Sequence, residues 1–280
     1  MSSVQRNNNF KIIRIPIPSP TLLPFTATNS YLIGNDQESV LVDAGYDQQE
    51  TKIELEQAIK EYSLATPKSI ILTHSHPDHA PGVRQLMDWS PTVYCHQLEK
   101  QATLTAISPW NTVSFLTDGD IFKVADVEIT IIHAPGHSPG QLNLYIPSQQ
   151  ILIAGDNIVA EGTSWIGPPD GDMSDYLQTL QRLKELTVSK IGPGHGEWVL
   201  HPYEQIDFVI NRRLEREGQI KSLLKEHQPL STTRLTEMIY PENIHPSIFE
   251  VAKRTTEAHL IKLINDGFVA QQDSNYYLKS

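Results

Sequence analysis

Cysteine is nearly absent: Cys95 alone occurs in 280 residues, so no internal disulfide can frame the fold and a reducing compartment is expected. Its setting, Thr92-Val93-Tyr94-Cys95-His96, reads as a strand and gives the thiol the role of a small buried hydrophobe. Long apolar runs are missing as well. No window approaches the about 18 apolar residues of a membrane span, and Met1 to Phe10 is polar, without an apolar signal region. A soluble cytoplasmic protein with no membrane partner is the expectation. Nor is there a basic excess: 22 Lys+Arg face 33 Asp+Glu, a net charge of −11. Residues 205–280 hold ten of each sign, so the whole −11 falls on residues 1–204. An acidic body has no general attraction for polyanions, and any nucleic-acid contact must be local. Bound divalent cations would offset part of that charge.

The chain is long enough for one large core with a small appendage. Strand-like runs are Lys11 to Ile17, Asn29 to Ile33, Ser39 to Ala44, Ser69 to Leu72, Thr92 to Cys95, 121–125, 127–133, 141–146, 150–154 and Val188 to Ile191. Helical spacing predicts helices over 48–62, from His79 to Trp89, and over 174–187. Strands alternating with helices predict an α/β fold, in which ligands bind at the carboxyl ends of strands. After about residue 204 the character changes. A helix over 205–227 striped by Ile206, Val209, Ile210 and Leu214 is followed by a short helix to Ile239, another from Pro246 to Asp266, and a hairpin from Phe268 to Leu278. Helix, helix, hairpin is the plan of a winged helix. The division is therefore 1–204 and 205–280.

The chemistry concentrates at strand ends. Ser69-Ile70-Ile71-Leu72 runs into Thr73-His74-Ser75-His76-Pro77-Asp78-His79, three imidazoles and a carboxylate on one loop. That is a donor set for borderline divalent metals. Further strand ends carry Asp43, His137 within Pro135-Gly136-His137-Ser138, Asp156 after Ala154-Gly155, and His195 within Gly194-His195-Gly196. Each block alone is an ordinary turn; together they predict a metal centre.

These blocks resemble, in order and at plausible spacing, the five motifs of the metallo-β-lactamase-fold hydrolases, over about residues 10–204. The tail helix Ala252 to Leu260 resembles the winged-helix domain of the β-lactamase-like-protein-two branch. The resemblance implies a four-layer αββα metallo-β-lactamase sandwich with a small C-terminal winged-helix domain. It implies two Zn²⁺ per chain, other divalent metals fitting the same donors. His74, His76 and His137 would hold the first, Asp78, His79 and His195 the second, with Asp156 between them. Metals about 3.5–4 Å apart can share a hydroxide that attacks a carbonyl or phosphorus. Asp78 and His79 are the residues marked for catalysis. Asp43 resembles a residue orienting a histidine ligand, or is a plain turn acid. His133 could donate a proton or be structural. Trp165, in the Gly- and Pro-rich loop 161–172, could stack on a base or line an acyl pocket, or pack under its own loop.

The Asp156-type carboxylate is missing from true lactam-hydrolysing members of the family, so antibiotic hydrolysis is not implied. Di-iron members often carry Glu where His76 stands, which favours zinc. Three functions remain open: a phosphodiesterase or endoribonuclease on single-stranded RNA, a thioester or other small-molecule ester hydrolase resembling glyoxalase II, and a nucleic-acid- or partner-binding protein with structural metals. Arg212, Arg213, Arg216, Lys253, Arg254 and Lys262 could form a basic patch, but ten acids dilute it, and a tail that packs on the body or mediates a homodimer fits better. His96, His201, His227, His245 and His259 show no partner pattern and are expected to be ordinary.

Overall fold

The computed structural model describes residues 9–21, 24–227, 229–240 and 245–279, so most of the polar start, Met1 to Asn8, lies outside the described residues. The elements are β1 (Lys11–Pro18), β2 (Ala27–Gly34), β3 (Ser39–Val42), α1 (Gln49–Tyr62), β4 (Ser69–Ile71), β5 (Thr92–Cys95), α2 (Lys100–Ile107), β6 (Ser114–Phe115), β7 (Ile121–Val124), β8 (Val127–His133), β9 (Leu142–Ile146) and β10 (Ile151–Gly155). Then follow α3 (Met173–Leu183), β11 (Lys190–Pro193), α4 (Pro202–His227), β12 (Leu230–Ser231), α5 (Thr232–Ile239), α6 (Pro246–Asn265), β13 (Val269–Gln272) and β14 (Asn275–Leu278). They form two compact units. The first comprises residues up to His133, Gly140–Glu161 and Val188–Leu200; the second comprises Ala134–Pro139, Gly162–Thr187 and the chain from His201 onward.

In the first unit, β1 to β6 form one sheet in chain order, and a second runs β11-β10-β9-β8-β7. Strand alternation divides the side chains of the first sheet between its two faces. Leu32, Leu41 and Ile70 join Leu55 and Ala58 of α1, together with Val83, Leu86 and Trp89. Ile33, Val40, Val42 and Ile71 turn the other way and pack with Ile129, Ile131, Leu142, Leu144 and Ile153 of the second sheet. Both faces are covered, which is why β3 and β4 read as unbroken apolar runs. The core fixes the strand ends. Since β3, β4, β5 and β6 run parallel, and β10 parallel to β11, their carboxyl ends fall along common edges.

The helix expected from His79 to Trp89 is instead a 3-10 stretch, Pro81–Trp89, interrupted by non-helical Leu86 (φ −112, ψ 16). Gly82 presses against the Ala44 carbonyl with no room for a Cβ, and proline and glycine side by side do not propagate an α-helix.

In the second unit, Ile220, Leu224, Leu230, Leu235, Leu260, Leu263, Val269 and Tyr276 build a core under a three-stranded sheet ordered β12-β14-β13. Ser231 caps α5 by accepting from Arg234 N at 3.2 Å. Leu214, expected in the apolar stripe of α4, is exposed; the buried stripe runs through Arg213, Glu217 and Ile220.

Candidate metal centre

Four strand ends of the first unit bring their polar residues together. β3 ends into Asp43, whose left-handed backbone (φ 56) turns the chain sharply after the last paired residue. β4 ends into Thr73, His74 and the loop to His79, β10 into Asp156, and β11 into Gly194 and His195. His79 and His195 each point Nε2 at Asp156 Oδ1, both at 3.3 Å, and at Asp78 Oδ2, at 3.7 and 3.4 Å. Asp78, His79 and His195 form one group of donors within 4.8 Å, and His74, His79 and Asp156 form another. The rings of His74 and His76 lie edge to face at 4.5 Å. Gly194 permits the approach of β11: a Cβ there would strike Asp156 Oδ1.

The hydrogen bonds fix where the imidazole protons sit. Buried Asp43 accepts the Thr73 amide at 2.7 Å and the Thr73 hydroxyl at 2.8 Å, and His79 Nδ1 donates to its Oδ2 at 2.8 Å. A hydroxyl has one proton. Having given it to Asp43, Thr73 Oγ1 can only accept from His74 Nδ1, 3.0 Å away. His195 Nδ1 faces the Ala27 carbonyl at 3.0 Å, and a carbonyl only accepts. All three neutral imidazoles therefore carry hydrogen on Nδ1 and offer a bare lone pair at Nε2. Asp78 Oδ2 is steadied by Thr28 Oγ1 at 2.8 Å, which in turn meets Ser19 Oγ at 2.8 Å.

A cation fits this arrangement. His79 Nε2 is buried and has no hydrogen-bond partner among the described residues, and it confronts two carboxylate oxygens. A lone pair facing carboxylates in a low-dielectric interior is repulsive until a positive charge enters. The titration shifts state the same demand. Burial works to lower the pKa of His79, but Asp156, Asp78 and Asp43 overcome it and hold it well above the usual imidazole value. His195 is raised in the same way, against burial, by Asp156. Burial works to raise Asp156, yet His195 and His79 hold it well below the ordinary carboxylate range. Two nitrogen and two oxygen donors converging on one volume suit a divalent metal of intermediate softness.

The other candidates divide between the units. His137 lies on the segment Ala134–Pro139, part of the second unit, and donates from Nδ1 to the Trp165 carbonyl at 2.8 Å. Trp165 thus meets His137 through its backbone, with its ring 6.4 Å away and nearly perpendicular. His133 stacks on His96 at 4.1 Å with rings 8° from parallel, so His96 is not the partnerless residue it looked. Buried His259 is not ordinary either: it faces Glu217 at 3.6 Å. The basic patch of the tail does not form as a set. Arg213 is buried, and Lys262 pairs with Glu217 and Asp266 at 3.2 and 2.7 Å. Two residues carry more weight than sequence reasoning gave them. Thr73 links Asp43 to His74. Buried Glu99 accepts Ser75 Oγ at 2.5 Å and the Gly140 amide at 3.0 Å, bracing the histidine loop. The position of Thr73, between the strand and His74, was a usable signal; Glu99 had none.

Residues 23–195 match the Metallo-beta-lactamase superfamily, and residues 231–277 match the Beta-lactamase associated winged helix domain. A "Beta-lactamase-like protein 2 homolog" of Caenorhabditis elegans is 28% identical over 253 residues, covering 88% of this chain and 82% of that protein. An "Atrochrysone carboxyl ACP thioesterase" of Aspergillus fumigatus is 23% identical over 218 residues, covering 78% of this chain and 66% of that protein. The crystal structure of a metallo-beta-lactamase family protein from Thermus thermophilus superposes with a TM-score of 0.81 at 21% identity, covering 96% of this chain and 98% of that one. The chain therefore belongs to the metallo-beta-lactamase superfamily, as a metal-dependent hydrolase with a C-terminal winged helix domain.

Proposed function

We propose that the protein is a binuclear zinc hydrolase acting on acyl thioesters. His74, His76 and His137 would hold one metal and Asp78, His79 and His195 the other, with Asp156 supplying a further carboxylate. The observation that carries the reading is the cage in which the Nε2 atoms of His79 and His195 confront Asp78 and Asp156 at 3.3–3.7 Å with their protons pinned on Nδ1. A bound divalent metal supplies Lewis acidity and lowers the pKa of water towards neutrality. The protein's own part is positional. Asp43 and the Ala27 carbonyl keep His79 and His195 in the ligating tautomer, and Thr28 holds Asp78. With these groups fixed in advance, little reorganisation is left for the reaction.

The thioester class is favoured by the relatives that bear thioesterase names and by the net charge of −11, which repels a polyanion. Single-stranded RNA is the second substrate to test, since the same metal-based chemistry could act on phosphorus. The test is metal analysis of the purified protein followed by side-by-side turnover of a thioester and a fluorogenic RNA, with Asp78→Ala as the blank. Close to two zinc per chain, with thioester turnover abolished by chelator and by Asp78→Ala, is the expected result. RNA turnover alone, equally sensitive to Asp78→Ala, would replace the substrate. Metal without either turnover would leave a structural centre.

A further inference from the structure

The segment carrying His137 is gripped by the rest of the second unit. The Pro135 carbonyl accepts Thr179 Oγ1 at 2.7 Å, and the Gly136 carbonyl accepts the Asp172 amide at 2.9 Å. Gly136 (φ 134) lies so close to the backbone of Tyr176 that any Cβ would collide with it. His137 Nδ1 then donates to the Trp165 carbonyl at 2.8 Å, which in the neutral ring leaves Nε2 without a hydrogen. The neighbouring carbonyl, that of Ser164, accepts from Nη2 of Arg213 on α4.

Arg213 is an unusual residue to bury. It is 6% exposed, and among the described residues no carboxylate pairs with it and its Nε has no hydrogen-bond partner. Besides Ser164 it meets the Tyr176 ring, 5.9 Å from the guanidinium carbon. A buried charge without a counter-ion disfavours the fold relative to an apolar side chain of similar size, so packing does not explain an arginine here. Among the described residues its one directed hydrogen bond is to the peptide adjoining the carbonyl that sets His137.

We propose that Arg213 is a positioning residue for His137, acting through the path Arg213, Ser164, Trp165, His137. This rests on the two-metal reading above. Guanidinium donation locks the Ser164 peptide, the next carbonyl is locked with it, and the imidazole keeps its proton on Nδ1 and its ring orientation. The cage of His79 and His195 takes its orientation from Asp43 and Ala27 of the first unit. His137 therefore answers to groups that do not orient His79 and His195, and loosening Arg213 acts on the metal that His137 would hold.

The test is a zinc titration of the metal-free full-length protein against a chromophoric chelator, for wild type, Arg213→Met, His137→Ala and the double variant. Wild type should show two uptake steps, and His137→Ala should identify the one that depends on that ligand. Arg213→Met should weaken the same step by about 10–100-fold, the usual effect of losing a group that orients a ligand, and leave the other unchanged. In the His137→Ala background it should add nothing, since the path ends at His137. Unchanged steps in a variant with a cooperative melt, equal weakening of both, or further loss on top of His137→Ala would each overturn the proposal. If Arg213→Met does not fold, Arg213→Lys is read in its place: selective, smaller weakening is expected, and none refutes it. A wild-type protein that takes up one metal or none would remove the two-metal reading, and this inference with it.

Discussion

Asp43→Asn tests the claim that proton placement makes the ligands. The carboxylate accepts three hydrogen bonds of 2.7–2.8 Å while 2% exposed. Asparagine keeps the shape but only one acceptor oxygen. If that oxygen stays with the Thr73 amide, the new NH₂ occupies the place of Oδ2 and points donors at His79 Nδ1 and at Thr73 Oγ1. The lowest-energy response is to move the His79 proton to Nε2, which destroys the lone pair aimed at Asp156 and Asp78. Loss of a group that orients a ligand typically weakens metal binding by about 10–100-fold, or about 1.4–2.7 kcal/mol. Because Thr73 also receives His74 Nδ1, the disturbance should reach both imidazoles. Zinc affinity is measured by competition with a chelator, and a thermal melt confirms that the variant is folded. A folded Asp43→Asn protein with wild-type zinc affinity would refute the reasoning, since Asp43 is the group that holds His79 in its tautomer.

Two further outcomes follow from packing and linkage. Gly194→Ala should destabilise the protein by about 1–3 kcal/mol and lower zinc uptake, because the added methyl must displace Asp156 or part β10 from β11; melts with and without zinc separate the two effects. In the tail, burial lowers the pKa of His259 and outweighs the pull of Glu217 in the other direction. The unfolded chain then takes up a proton below about pH 6.5 while the folded chain does not, so stability falls as pH drops below that value. For one group the slope is at most about 1.4 kcal/mol per pH unit. Urea melts of His259→Gln against wild type should show a flatter dependence from pH 7 downward; parallel curves would mean that His259 takes up its proton equally in the folded and unfolded states.

How much of this could be read from the sequence depends on the range of the interaction. The strand runs and turn residues are local, and so β3, β4, β5, β10 and β11 fell close to where periodicity put them. Histidines and carboxylates at successive strand ends were legible because parallel strands bring those ends to one edge, which is how Asp43, His79, Asp156 and His195 came to meet. The helix expected after His79 failed because Gly82 answers to a distant carbonyl, that of Ala44, rather than to its neighbours. Glu99 was invisible for the same reason: it meets Ser75 and Gly140 across 24 and 41 residues. Leu214 and Arg213 exchanged roles, the leucine exposed and the arginine buried, because the loop carbonyl of Ser164 needs a donor that periodicity cannot foresee.

The acidic composition and the metal centre are two sides of one electrostatic fact. Asp78 and Asp156 confront His79 and His195; against the effect of burial, Asp156 raises both imidazole pKa values, and Asp78 and Asp43 add to the rise at His79. Without metal the raised values favour a proton on those imidazoles, a contribution to stability present below their ordinary pKa and lost as pH rises through the raised values. Metal and proton therefore compete for the same Nε2 atoms, and loading the centre must release protons. Zinc affinity should climb with pH through the imidazole range more steeply than an ordinary histidine site would allow. Removing Asp156 would flatten that climb by withdrawing the anion that favours the proton and the metal alike.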